Sequence, residues 1–269
     1  MASDSKSTVE EVNAGQGPAV LCVDFRRFDN QPRLADLLGD GKLHTYRLDP
    51  VRLLAQGNVA RSLDEIATGY AERVLDEIGE PAVVAATCNA ATLGLRLAQR
   101  IGRTAARPAL LLVDPSWPTP ASVGQEFAAL RSTIASPAVG GGPAEADVDP
   151  LDLQAMLDLL RTDLVTVLNA DGVADDEAPF VMESLLPRYR AWLGLLVATC
   201  EDTAPPPSGP IHAVLGSDSC IPDWADDAWD LTRMPVSSAD ILTPGTPAAE
   251  HLHQLVRSLI SPKPGDFSR

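Results

Sequence analysis

The chain has 269 residues, 45% of them hydrophobic, enough to bury the core of one large α/β domain. Its formal net charge of −16 argues against nucleic acid or an anionic membrane as the main partner. No apolar run approaches a membrane span, and the polar start MASDSKSTVEEVNAG holds no signal-peptide core, so a cytoplasmic protein is expected, with monomer and dimer both left open. Four cysteines, Cys22, Cys88, Cys200 and Cys220, form no Cys-x-x-Cys pair and no zinc spacing. His251 and His253, two apart on a helix, point in different directions. Reduced thiols and no metal are therefore expected.

Residues 1–17 read as a flexible lead-in. Pro18 to Asp24 (PAVLCVD) is an apolar strand with Cys22 in its core, followed by a polar loop Phe25-Arg26-Arg27-Phe28-Asp29-Asn30. Pro32 to Leu38 is a short helix, and Lys42 to Leu48 a second strand in which His44 is structural. Ser62 to Gly79 is the clearest helix. Ser62 and Glu65 form a capping box, and Leu63, Ile66, Tyr70, Val74 and Ile78 recur on one face.

Next comes PAVVAATCNAATLGLRLAQRIG, from Pro81 to Gly102. Val83 to Ala85 is a short strand, Ala90 to Ile101 a helix, and almost no loop lies between them. A strand that turns straight into a helix, with a nucleophile-type residue at the apex and small residues two places either side, has the form of a nucleophile elbow. Cys88 stands where Gly-x-Ser-x-Gly has serine, and Ala86 and Ala90 stand for the glycines. Pro108 to Asp114 (PALLLVD) is a further apolar strand ending in a carboxylate. Strands alternating with helices predict a parallel sheet with helices on both faces.

From about 118 to 205 the pattern is helical, with Leu151 to Leu168 and Phe180 to Cys200 strongly apolar. This segment is read as a helical insertion covering one end of the sheet. The sheet resumes at Pro210 to Gly216, followed by Ser217-Asp218-Ser219. A last strand is expected from Val236 to Leu242, then a terminal helix opening at Thr246-Pro247 and ending near Ile260. Ligands of doubly wound sheets bind beyond the C-terminal strand ends, so Cys88, Asp114 and His251 could converge there. Nucleophile, acid, histidine is the chain order of the α/β-hydrolase triad.

PAVVAATCNAATLGLRLAQRI, LLLVDPSWP, LLPRYRAWLGLLVATCEDTAPPPSGPIHAVLGSD and the histidine before LVRSLI resemble the thioesterase domains that release chains from polyketide and nonribosomal peptide assembly lines. Closer still is the resemblance to the stand-alone Dieckmann cyclases of tetramate and pyridone pathways, of the nocamycin, tirandamycin and kirromycin type. That likeness implies an α/β-hydrolase fold with a helical lid and a triad of Cys88, Asp114 and His251. It implies an oxyanion hole from the backbone of Asn89 and of Phe25 or Arg26, no cofactor, and a carrier-protein-bound acyl thioester as partner and substrate. Arg26, with Arg27, and Trp117, Tyr189 and Trp192 are candidates for substrate contact.

The sequence departs from the family pattern in two places. The His-x-x-Gly-Gly loop after the first strand is replaced by Asp24-Phe25-Arg26-Arg27-Phe28. Gly-Asp-His before the last helix is replaced by Gly245-Thr246-Pro247, with His251 several residues later and His253 as the alternative imidazole. Asp218 is the alternative acid. The expected function is release of a β-ketoamide chain by acylation of Cys88 and ring closure to a tetramic acid or pyridone. Simple thioester hydrolysis and a non-catalytic acyl-binding role are the competing readings.

Overall fold

The computed structural model describes residues 7–25, 33–39, 43–56, 62–134, 148–174, 177–203, 210–219 and 229–261. The chain divides into two compact units, one of residues 1–50, 63–117 and 203–269, the other of residues 51–62 and 118–202.

The first unit is built on a sheet. Its strands are β1 (Val9–Ala14), β2 (Ala19–Val23), β3 (His44–Leu48), β4 (Val83–Cys88), β5 (Ala109–Pro115), β6 (Ile211–Leu215) and β7 (Trp229–Arg233). They lie in the order β1-β3-β2-β4-β5-β6-β7, with β1 antiparallel to β3 and every other pair parallel. A parallel sheet is covered on both faces, so its central strands can be apolar throughout. Val83, Val84, Ala85 and Ala86 in β4 accordingly have no exposed surface.

The period-two alternation divides the contacts. Val20, Cys22, Val83, Ala85, Leu111 and Val113 share one core with Leu34 and Leu38 of α1 (Leu34–Gly39) and Leu252 and Val256 of α8 (Pro247–Ile260). The helices α3 (Leu63–Ile78) and α4 (Ala91–Thr104) pack together, and α4 lies on β2, β4 and β5. At the α4 contact a Cβ on Gly94 would stand 2.5 Å from the Ala86 Cβ. Only glycine there lets the helix sit this close to β4.

Two expectations are corrected. Within the segment read as a flexible lead-in, Val9–Ala14 is strand β1. Glu77 of α3 holds its start: the Thr8 and Val9 amides donate to that carboxylate at 2.9–3.0 Å and the Ser7 hydroxyl at 2.6 Å. Burial alone would raise the Glu77 carboxyl, but these donors outweigh it and hold the group below its ordinary range. The last strand is Trp229–Arg233, whereas the Val236–Leu242 stretch contains a 3-10 turn, Ser238–Asp240. As an edge strand, β7 needs few apolar residues, and only Trp229 in it is buried.

The second unit contains α5 (Pro120–Ile134), α6 (Leu153–Ala170) and α7 (Ala178–Cys200), each packed on the other two. The short α2 (Pro50–Leu54) begins at the end of the first unit's opening segment. Asp152 caps α6 by accepting from the Ala155 amide at 3.0 Å, and Met156, Leu157, Leu160, Leu164 and Leu168 form its buried stripe. Arg131 of α5 donates to both carboxylate oxygens of Asp163 on α6, at 2.6 and 3.1 Å. Among the described residues no helix is long and apolar enough to cross a membrane.

Candidate active site

Cys88 is the last residue of β4, and only Asn89 and Ala90 separate it from α4. The turn is closed by the Ala90 amide donating to the Thr87 carbonyl at 3.0 Å. To make it, Cys88 adopts φ 47°, a left-handed conformation that costs a residue bearing a Cβ of order 1–3 kcal/mol. The thiol is partly exposed and lies 3.5 Å from the Thr87 hydroxyl.

No side chain caps α4 at Ala90, and among the described residues the Asn89 N–H has no acceptor. Unpaired amides and the positive end of the helix thus meet at the apex that carries the sulfur, a setting that favours negative charge.

Asp114 owes its position to an irregularity in β5. Thr87 pairs with Val113, but Cys88 pairs with Pro115, so Asp114 is an extra residue without a partner on β4. It too takes φ 47°. A bulge of this kind redirects a side chain, and bulges recur beside active sites. Here the carboxylate turns toward the end of β6. Its Oδ1 accepts from the hydroxyls of Ser219, in a short contact, and Ser238 at 3.1 Å, with the Gly216 amide at 3.4 Å.

Asp218, the alternative acid, meets the same group of residues. Its Oδ1 accepts from the Ser238 amide at 2.8 Å and the Ser238 hydroxyl at 2.9 Å. The Ser238 amide, then its hydroxyl, holds the Asp218 carboxyl below its ordinary range. A Cβ on Gly216 would lie 2.7 Å from the Ser238 nitrogen, so only glycine permits that approach. Sequence reading gave Ser219 no role and did not single out Ser238. The polar Ser217-Asp218-Ser219 triplet directly after an apolar strand was the available signal.

His251 lies in α8, whose start is fixed by Pro247 and by the Thr246 hydroxyl accepting from the Ala249 amide at 3.2 Å. The helix packs on α1 and β4, the strand that ends in Cys88. The His251 ring is half-buried, and its Nε2 is buried with no hydrogen-bond partner among the described residues. A buried polar atom left unsatisfied calls for an explanation. The structure therefore brings Cys88 and Asp114 to adjacent strand ends, while no described hydrogen bond joins His251 to either. His253 is half-buried on the same helix.

Phe25 is buried and follows Asp24, whose carboxylate accepts from the Ala35 amide at 2.9 Å and from Arg47 Nε at 3.1 Å. Arg47 also reaches Asp36, in a short contact, and Glu10 at 3.3 Å. Burial pushes the Asp24 carboxyl up to about 6, against the opposing pull of the Ala35 amide and Arg47. Arg26 and Arg27 lie outside the described residues. Trp117 meets Trp229 edge-on, with ring centroids 6.1 Å apart. Tyr189 and Trp192 are each only 7% exposed in the helical unit, and burial raises the Tyr189 phenol.

No family model matches the sequence, and no curated protein matches it. Solved structures do resemble it. One is a four-domain nonribosomal peptide synthetase bound to AMP and glycine, at 14% identity and TM-score 0.61 over 94% of this chain. This chain spans only about a fifth of that protein (20%). The type II thioesterase BorB of the borrelidin biosynthetic cluster aligns at 14% identity and TM-score 0.54, over 96% of this chain and 98% of its own. The Vlm2 thioesterase domain, carrying 2,3-diaminopropionic acid and bound with a dodecadepsipeptide, aligns at 16% identity and TM-score 0.52, over 93% and 97%.

The chain has the α/β-hydrolase fold, shared with these thioesterase structures. In an α/β-hydrolase the nucleophile occupies the strand-to-helix turn at the top of the sheet, and Cys88 stands at such a turn here. The bulged Asp114 on the next strand adds a carboxylate beside it.

Proposed function

We propose that this chain is a cysteine-dependent, thioesterase-like enzyme that releases a β-ketoamide chain from a carrier-protein thioester by Dieckmann cyclisation. The observation that carries the reading is Cys88 itself, held at φ 47° on the α/β-hydrolase elbow. A backbone cost of that kind persists where surrounding structure enforces it, and such outliers cluster at active sites.

In this reading the imidazole of His251 takes the Cys88 proton, and the sulfur attacks the carrier thioester. A new C–S bond forms as the carrier C–S bond breaks, and the proton goes to the departing phosphopantetheine thiol. The loading step exchanges one thioester for another and is nearly neutral. His251, oriented by Asp114, then removes a proton from the carbon between the two carbonyls of the chain. That carbanion attacks the Cys88 thioester; a C–C bond forms, the C–S bond breaks, and the departing Cys88 thiolate takes back the proton held by His251. A thiolate is a better leaving group than a serine alkoxide, and a stabilised carbanion is a weak nucleophile, so cysteine suits the second step.

The Asn89 amide and the Phe25 backbone serve as oxyanion donors, each contributing about 3 kcal/mol in comparable sites. Arg26 is assigned to the enolate or to the phosphopantetheine phosphate. The chain works without a cofactor.

The likeness to a type II thioesterase supports hydrolysis as the second reading. Incubating wild type and Cys88→Ala with a β-ketoaminoacyl thioester mimic, followed by mass spectrometry, separates the two. Ring product from wild type alone supports cyclisation. A linear acid, heavier by one water, from a substrate able to cyclise assigns the chain to hydrolysis. Equal behaviour of the two proteins removes Cys88 from catalysis.

A further inference from the structure

The hydrogen atoms around Asp114 can be counted. Ser219 Oγ accepts the Gly216 N–H at 2.9 Å, so its own proton is available for its short contact with Asp114 Oδ1. Ser238 Oγ lies 3.1 Å from Asp114 Oδ1, 2.9 Å from Asp218 Oδ1 and 3.1 Å from Ser219 Oγ, but it has a single proton to give. Asp218 is exposed and already takes the Ser238 amide, so water can serve its remaining lone pairs. Asp114 is only partly accessible and depends more on protein donors.

Every described donor to Asp114 falls on Oδ1. The platform beneath is fixed in turn by Arg233 of β7, whose Nη1 donates to the carbonyls of Gly216 at 2.8 Å and Ser219 at 2.9 Å.

We propose that Ser219 and Ser238 are positioning residues: their hydroxyls lock Asp114 Oδ1, which turns Oδ2 toward the catalytic imidazole. Asp218 then acts as the grip on Ser238, and both carboxylates are needed although only Asp114 is assigned to the histidine. This inference rests on the reading of Cys88, Asp114 and His251 as one catalytic set. Asp218 and Arg233 are the charged groups in described contact with the cluster.

The test is the rate of Cys88 alkylation by iodoacetamide against pH, read by peptide mass spectrometry, which needs no substrate. Wild type, Ser219→Ala, Ser219→Thr, Ser238→Ala and the Ser219→Ala/Ser238→Ala pair are compared. An oriented imidazole keeps Cys88 reactive below the ordinary thiol range. The double variant should lose about tenfold near about pH 6, stay within about twofold of wild type near about pH 9, and Ser219→Thr should restore the acid limb.

Fully buried Cys22 reports the fold, since it labels only on unfolding. If the double variant exposes Cys22, Ser219→Ala against Ser219→Thr carries the same comparison. A double variant whose profile superimposes on wild type overturns the positioning role and leaves the catalytic reading intact. A wild-type Cys88 that follows one ordinary thiol titration, labelling no faster than Cys200, overturns both.

Discussion

The two units of the chain use buried polarity in opposite ways. In the helical unit, Arg131 and Asp163 pair between two helices through two hydrogen bonds that use both carboxylate oxygens. In the sheet unit, three polar groups are incompletely satisfied: Asn89 offers an amide, Asp114 has its described donors on one oxygen, and His251 of α8 keeps a bare Nε2. Among the described residues both non-glycine positions with positive φ, Cys88 and Asp114, are in the sheet unit. A fastening closes on itself; a reactive centre leaves groups directed at something yet to bind. On that contrast the proposed chemistry belongs to the sheet unit.

Substitutions can break or sharpen that contrast. The largest expected effect is that of Cys88→Ala, which should lower product formation at least about 1,000-fold, since removing a nucleophile forfeits the covalent route. Urea unfolding should show the same variant nearly unchanged, because the partly exposed thiol carries little packing load and alanine keeps both the Cβ and the backbone cost.

In the helical unit the balance reverses. Asp163→Ala leaves the Arg131 guanidinium buried without its carboxylate and should cost about 3 kcal/mol in a urea titration. Its effect on turnover per folded molecule should be small.

Asp24 supplies a third test, through pH. Its carboxyl is raised in the fold to about 6. The folded state therefore holds the proton more tightly than the unfolded chain, whose carboxyl titrates near about 3.9. Wild type loses stability from this group as pH climbs through that window, by about 3 kcal/mol in all. Asp24→Asn cannot ionise, so the difference in stability, variant minus wild type, should rise by about that amount between about pH 4 and pH 7. A flat difference would show that Arg47 keeps Asp24 charged throughout.

The smallest effect belongs to the surface. Arg100 reaches Asp64 in a short contact, and that hydrogen bond, more than any other neighbour, holds the Asp64 carboxyl below its ordinary range. Asp64 is 55% exposed, so Asp64→Ala should lower the unfolding free energy from a urea titration by no more than about 0.5 kcal/mol, and by less at high salt.

Much of the sheet unit was legible because its signals are local. Val83-Val84-Ala85, the small Ala86 and Ala90, and the abrupt change to helical periodicity define the elbow within ten residues. The support of Asp114 was not legible, because its partners Ser219 and Ser238 stand 105 and 124 residues away. No periodicity spans such a distance. The bulge was hidden for a related reason: PALLLVDP reads as a regular strand until its pairing with β4 is known. β1 was missed because an edge strand with Glu10, Glu11 and Asn13 looks like a polar tail. The misplaced last strand shows the converse error, in which the hydrophobic Val236 and Ile241 belong to a turn region packed on the core.

The bulge at Asp114 makes the site sensitive to counting as well as to chemistry. A conservative replacement there keeps the backbone detour and alters only what sits upon it. Losing a single codon between Val113 and Pro115 would let the two strands fall into even step, with the carboxylate gone and the detour erased together. For this region insertions and deletions should be tolerated far less than point changes, and a library built to diversify the chain should hold the length of that strand constant.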